Sequence, residues 1–409
     1  MSAVPAPLTV PATGARPGVW HVPDDGFASR SARARGSGPY EASLPAPLAD
    51  LVLTLPGDIA ADVSDAEAAL ATFDSHAARE LGADSPALGP MSAVLLRTES
   101  ASSSQIEDLT VGAKQLALAE LKESRSTNAQ AVVANVRTME AALRLATTLD
   151  LDAVLAMHRA LMVGAGTGEG SDAGALRTRL VWVGRSGSSP RGAAHVAPEA
   201  QDVPAAMENL MRFIAREDLP VLLHAALAHA QFETIHPFSD GNGRTGRALV
   251  HAMLHGKGLL RHTTAPVSAG LLTDLEGYVQ ALTSFRHGDA RPIVEQFARA
   301  ARYAAGTGSR LVEDLAAVMA QSRERMAGLR PHATAWRVLP LLIAQPIVDS
   351  GYLRQRLEVS AMTAQRALDQ LSGTGVLQET TGRSRNRVWQ HKGVLAVLDA
   401  YAATVRRDG

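Results

Sequence analysis

The sequence contains no cysteine. That excludes disulfide staples, thiolate metal sites and cysteine nucleophiles, and it suits a reducing, cytoplasmic setting. Aromatic residues make up only 4% of the chain, so helix packing must rest on alanine and the aliphatic side chains. No run reaches the roughly 18 uncharged apolar residues that a membrane-spanning helix needs, and residues 1–20 show no basic stretch followed by an apolar one. The expectation is a cytoplasmic protein with no membrane partner. Neither sign of charge prevails either: 40 lysines and arginines face 41 aspartates and glutamates, a formal net charge of -1. Any charged partner must therefore be met by a local patch.

What is present is helix-forming sequence in 409 residues, enough for about two or three domains of roughly 100 to 200 residues. Residues 1–45 are rich in Pro, Gly, Ala and Ser with scattered arginines, a flexible segment expected to stay loose or to wrap its neighbour. Residues 46–135 read as an N-terminal helical region, with helical spacing at 58–76 and at 107–137, interrupted near 124–128. In a core expected over 136–310, helical spacing continues at 139–161. A strand at 177–184, turn residues and an extended run at 193–197 then make a hairpin, and helices follow at 204–216, 221–234, 244–260, 271–283 and 290–304. A composition change near 326–332 marks a boundary. Beyond it, over 330–405, one helix at 334–346, two shorter helices and an alternating hairpin follow the order of a winged helix-turn-helix. The expected fold class is mainly α.

The densest chemistry lies in the stretch HAQFETIHPFSDGNGRTGRAL, residues 229–249. Pro237 and Gly241 interrupt helix there, so residues 236–242 should form a loop ending at a helix N-terminus, a place that binds anions. Gly241, Asn242 and Gly243 can turn successive N–H groups toward one point, while Arg244 and Arg247, three residues apart, share a helix face and offer donor forks to phosphate oxygens. Asp240 is suited to hold a divalent cation shared between phosphates, with Mg2+ as the physical expectation. His236 can accept a proton from an attacking hydroxyl near neutral pH. The same residues also admit a plainer reading, a solvated glycine-rich helix start with Asp and His as local caps. Phe238 reads as a buried anchor, Phe232 and Ile235 as core, and His224 and His229 as packing. Glu233 either orients His236 or caps a helix end.

The stretch 236–247 resembles the signature of the Fic family, H-x-F-x-(D/E)-G-N-G-R-x-x-R, with every defining position present. The resemblance extends over about residues 45–310, with the 177–197 hairpin similar to the family's flap over the target segment and Gly164-Ala165-Gly166 in the usual approach to it. It implies a Fic-type helical core with a β-hairpin flap, acting as a protein adenylyltransferase with ATP and Mg2+ as cofactors. His236 would deprotonate the target's Ser, Thr or Tyr hydroxyl, and Phe238 would anchor the loop. Asp240 would hold Mg2+, and Gly241, Asn242 and Gly243 would cradle the phosphates, with Gly246 among the nucleotide-contacting residues. Arg244 would contact the transferred or β-phosphate and Arg247 the γ-phosphate. Tyr278 either lines the adenine pocket or packs in the core. Ser103 and Glu107 resemble the family's (S/T)-x-x-x-E-(G/N) inhibitory motif, N-terminal to the core as in its second class, with Asp108 in the Gly or Asn position. Glu107 would pair with Arg247 and hold the enzyme off.

The C-terminal region resembles the winged helix domain appended to many such proteins, with residues 360–371 as its recognition helix. Arg383, Arg385 and Arg387 in the hairpin support modest DNA binding, with target docking or homodimerisation as alternatives. The partner implied by the resemblance is a protein with a modifiable hydroxyl, self-modification included. Competing readings are a nucleotide-sensing DNA-binding regulator, removal of AMP from a modified protein, and phosphate transfer from a reversed nucleotide. The intact His236 favours an enzyme over a sensor, and the complete glycine pattern resembles the AMP-transferring branch.

Overall fold

Most helices form where the apolar spacing predicts them, but Leu88–Ile106 and Lys392–Val405 lie outside those stretches, and the helix expected from Glu107 begins at Ala113. The computed structural model describes residues 6–22, 24, 29–81, 88–121, 123–124, 126–164, 172–184, 189–380 and 387–405. The chain divides into two compact units, one of residues 1–67, 138–257 and 274–299, the other of residues 68–137, 258–273 and 300–409. The Arg291–Arg325 helix begins in the first and continues in the second, running well past the end expected near residue 304.

In the first unit, the Val221–Ile235 helix packs against the Asn242–Gly256 helix, with Val203–Ile214, Leu151–Gly164 and Leu275–Arg286 around this pair. The Val221–Ile235 helix is buried from Leu222 to its end. A helix buried on every side belongs at the centre of a core, and this one carries the site at its C-terminus. The helix expected over 139–161 is broken: one helix ends at Arg144 and the next starts at Leu151, where the Asp150 carboxylate accepts the Ala153 N–H at 2.8 Å. Gly256 admits this connection, because a Cβ there would lie 2.2 Å from the Ala146 carbonyl oxygen.

The strand expected over 177–184 pairs only at Trp182–Val183, antiparallel to His195–Val196. Its first residue is diverted: the Arg177 N–H donates to the Pro237 carbonyl at 3.0 Å. The turn residues 185–188, like Ala165 and Gly166, lie outside the described residues. Where the N-terminal composition predicts a loose or wrapping segment, Gly14–Trp20 and Gly38–Leu44 form an antiparallel ribbon in register from Gly14↔Leu44 to Trp20↔Gly38. It rests on the hairpin, with Trp20 edge-on to Trp182 at 5.2 Å and the Arg191 guanidinium donating to the carbonyls of Arg35 and Ser37 at 2.8 and 2.7 Å.

In the second unit, the Leu88–Ile106 helix packs on the short Val267–Leu272 helix, where buried Glu99 accepts from the Ser268 N–H and hydroxyl. The single helix expected over 334–346 is two, Thr334–Val338 and Leu341–Ala344, divided at Pro340, whose ring cannot continue the ladder. Ser350–Leu357 and Ala361–Gly373 follow, each N-capped by a side chain, Asp349 and Ser360. Ile347–Val348, Trp389–Gln390 and Gln378–Glu379 make a three-stranded antiparallel sheet with Trp389–Gln390 in the middle. Trp389 packs with Val338, Leu342, Leu353 and Leu368 into one apolar cluster. Arg387 is held by both oxygens of Glu379 at 2.9 and 2.5 Å and lies 4.8 Å over the Trp389 ring. A guanidinium bonded in this way has little left to offer a phosphate. Arg383 and Arg385 lie outside the described residues.

The connection at 261–263 hangs on one carboxylate. Buried Asp74 accepts the N–H groups of Arg261, His262 and Thr263, at 3.0, 3.1 and 2.8 Å, and the Thr263 hydroxyl at 2.9 Å. Asp74→Ala should strand these donors and lower stability by about 2 to 4 kcal/mol. A denaturant titration followed by far-ultraviolet circular dichroism checks this, the expected result being a lower midpoint.

Candidate active site

The site begins where the Val221–Ile235 helix stops. His236 caps it in the left-handed conformation, φ 49° and ψ 61°, with its N–H on the Phe232 carbonyl at 2.8 Å. A non-glycine residue there stores strain of roughly 1 to 3 kcal/mol, so the surroundings must hold it. Arg177 does so. Its buried guanidinium donates from Nε to the His236 carbonyl at 2.8 Å, from Nη1 to Arg179 at 2.9 Å and from Nη2 to Pro198 at 2.6 Å. Burial pushes its pKa down to about 10, which still leaves it charged at neutral pH. His195 adds a hydrogen bond from Nε2 to the Thr234 carbonyl at 2.9 Å, and burial pushes this imidazole down to about 3, so it is a neutral prop.

The loop is then braced from both sides. Phe238 is fully buried, as expected, and stacks on the His158 ring with centroids 3.7 Å apart and planes 4° from parallel. His158 Nδ1 accepts the Gly174 N–H at 3.0 Å, so Nε2 carries the proton it donates to the Asp240 carbonyl at 3.1 Å. The Asn242 side chain closes the turn: Oδ1 accepts from the Phe238 N–H and Nδ2 donates to the Phe238 carbonyl, both at 2.9 Å. Its side-chain amide is thus committed to the loop backbone. Gly241 is left-handed at φ 76°, and a Cβ there would meet Leu161 Cδ2 at 2.8 Å. Gly246, expected among the nucleotide contacts, lies close against the neighbouring helix. A Cβ on it would lie 2.9 Å from Phe232 Cδ1, so its role is the close approach of the two helices.

At the mouth of this turn the helix starts with Asn242 and Gly243 in its first turn. Arg244 and Arg247 are buried, whereas the Asp240 side chain is 67% exposed and reaches Arg244 Nη2 at 3.7 Å. Arg244 Nε is buried without a hydrogen-bond partner among the described residues. Buried guanidinium beside a helix N-terminus, with one exposed carboxylate near it, is a surplus of positive charge that an anion would balance. Tyr278 packs in the core and bonds His229 Nε2 at 2.7 Å, which leaves the adenine contact unassigned.

Ser103 and Glu107 lie in the second unit. Ser103 is buried near the end of the Leu88–Ile106 helix, and Glu107 is exposed just beyond it. The helix ends in a Schellman arrangement: the Leu109 N–H bonds the Ser104 carbonyl at 3.0 Å and the Asp108 N–H the Gln105 carbonyl at 3.0 Å. Asp108 takes φ 60°, the left-handed conformation that Gly or Asn usually supplies at that position.

His158, Arg177 and His195 were not legible as part of the site. None belongs to the motif, and each acts through a backbone carbonyl that only folding brings within reach.

Glu233 sits 3.6 Å from His236 Nδ1. Burial pushes its carboxyl up, but His236, His229 and Arg247 outweigh this and hold it down at about 2, against an ordinary 4.5. A carboxyl lowered on folding contributes stability that is present above about pH 4.5 and lost as pH falls toward 2, on the order of 3 kcal/mol at most. Glu233→Gln should flatten that part of the profile, as denaturant midpoints measured from pH 2 to pH 7 would show.

Comparison with known proteins is consistent with this geometry. Residues 148–254 match the model of the Fic/DOC family. Over 156 residues the chain is 31% identical to a protein adenylyltransferase Fic of Nematostella vectensis, a match covering 37% of this chain and 32% of that protein. Over 151 residues it is 30% identical to protein adenylyltransferase fic-1 of Caenorhabditis elegans, covering 37% and 27%. The chain thus spans about a third or less of the length of these relatives. Its fold is similar to that of a Fic family protein from Desulfovibrio desulfuricans G20, with TM-score 0.51 and 24% identity, covering 83% of this chain and 97% of the other. The loop from His236 to the buried arginines accordingly lies within a Fic/DOC family domain, which this chain carries over residues 148–254.

Proposed function

We propose that this protein transfers AMP from ATP to a Ser, Thr or Tyr hydroxyl of a target protein or of itself. The observation that carries the reading is His236, held left-handed at a helix end and facing a helix start with buried, charge-surplus arginine. The two adenylyltransferase relatives support it. With Nδ1 turned toward Glu233, Nε2 of His236 is the nitrogen left to take the proton of the incoming hydroxyl. The hydroxyl oxygen bonds to the α-phosphorus, the bond to the bridging oxygen breaks, and pyrophosphate leaves. Arg244, Arg247 and the helix-start N–H groups hold the phosphates in line and meet the charge that develops on them.

No group of three or more His, Asp or Glu side chains that could hold a metal occurs among the described residues. The lone exposed Asp240 suits Mg2+, which takes one or two carboxylates and completes its shell with phosphate oxygens and water. When bound, Mg2+ would neutralise phosphate charge there.

The left-handed turn at Asp108 supports Ser103 and Glu107 as an inhibitory element, because it ends the helix where the motif requires. In this reading Glu107 competes with the γ-phosphate for Arg247. The strands and capped helices of residues 334–390 support a winged helix domain. With Arg387 tied to Glu379, target docking or dimerisation is the better role for it than DNA binding. No helix among the described residues is long and apolar enough to cross a membrane, and the reading places the enzyme in the cytoplasm.

Incubation with α-labelled and γ-labelled ATP plus Mg2+ tests the reaction: protein-bound label should come from the α-position only, and label from the γ-position only would refute it. His236→Ala should lower incorporation about 10²- to 10⁴-fold while ATP affinity stays near wild type. Glu107→Gly should raise α-label incorporation, seen first as self-modification, by about ten- to a hundredfold. Adding Arg247→Ala to that variant should remove most of the gain, and an unchanged rate in the single variant would take Glu107 out of the inhibitory role.

A further inference from the structure

Outside the motif, the first unit carries a groove of about 890 Å³ between the N-terminal ribbon, residues 190–196 and the end of the Leu275–Arg286 helix. Its charged lining is one-sided. Arg35, Arg191 and Arg286 face it, with Glu41 as the only carboxylate among its described lining residues. Arg191 is bonded to backbone carbonyls, which leave its charge uncancelled. Arg286 has no salt bridge among the described residues, and its Nε is buried without a hydrogen-bond partner. Burial pushes the Arg286 pKa down while the charge of Glu233 pushes it up, which places this guanidinium within electrostatic reach of the residue that contacts His236. His195 also lines the groove and bonds the carbonyl of Thr234, two residues before His236. One lining residue of the groove is thus bonded to the helix end that carries His236. Glycines and alanines from both walls, among them Gly14, Ala15, Gly192 and Ala193, leave room for an extended backbone.

We propose that this groove holds an acidic, extended segment of the target protein beside the hydroxyl that receives AMP. The inference rests on the adenylyltransferase reading for its purpose, though not for its test. Acidic side chains of the segment would pair with Arg35, Arg191 and Arg286, and a basic segment would meet three like charges. The N-terminal ribbon supplies one wall, so it acts in target selection.

The test uses the full chain and two fluorescein-labelled peptides of equal length, a serine flanked by glutamates and a serine flanked by lysines, with binding read as fluorescence anisotropy without ATP. The acidic peptide should bind more tightly at low salt, and its advantage should shrink as salt rises. Arg35→Glu should weaken the acidic peptide about three- to tenfold, and Glu41→Lys should strengthen it by a similar factor, a gain that misfolding cannot produce. Equal affinity for the two peptides, or no response to Glu41→Lys, would overturn the proposal. Self-modification with α-labelled ATP is measured beside it. Acidic preference without any incorporation sustains the groove and overturns the adenylyl-transfer reading. Incorporation without preference does the reverse.

Discussion

A buried guanidinium that bonds carbonyls rather than carboxylates underlies the geometry of the site. Arg177 reaches the backbone of His236, Arg179 and Pro198 at once, so the end of the central helix, the hairpin strand and the segment leaving it are tied to one planar group. Three donor directions from one rigid fork define an orientation that single bonds would leave soft. The left-handed backbone of His236 is tolerable only because this fork and the Phe232 carbonyl overdetermine it. Lysine would keep the charge and lose the geometry.

The chemistry then follows from where charge is left uncompensated. His158 and His195 are neutral by burial, which lowers both. They hold the loop without adding charge. Glu233 stays ionised beside His236, whereas among the described residues buried Arg244 has an exposed Asp240 at 3.7 Å as its carboxylate partner. In the proposed reading, the proton acceptor His236 lies at one end of the turn and an anion-binding helix start at the other. Positioning and electrostatics of this kind are what phosphoryl and nucleotidyl transfer ask of a protein.

In the proposed reading, control and selection would draw on different backbone devices. At Asp108 a Schellman turn closes the helix that carries Ser103, using a residue whose short side chain tolerates the left-handed region. Around the hairpin, a ribbon built from a proline- and glycine-rich segment supplies one wall of a basic groove. That segment has too little apolar surface to fold as a core, but it can lie on one: Trp20 finds Trp182, and Arg191 bonds the Arg35 and Ser37 carbonyls just before the ribbon's return strand.

The sequence alone determined the mainly helical class, the helix–loop–helix around residues 236–247, the buried Phe238 and the hairpin beside it. Helical periodicity, Pro and Gly stops and a dense motif are local signals, and local sterics act on them whatever the rest of the chain does. Only the tertiary structure decided the break at 145–150, the short pairing of the hairpin, the ribbon, and the close packing of Asn242 and Gly246 against the loop and the neighbouring helix. It alone recruited His158, Arg177 and His195 to the loop. Their partners are backbone carbonyls and apolar rings distant in sequence, and a carbonyl leaves no mark in the amino-acid code. A side chain that acts by filling a bond to such a partner is recognisable only after the chain has folded.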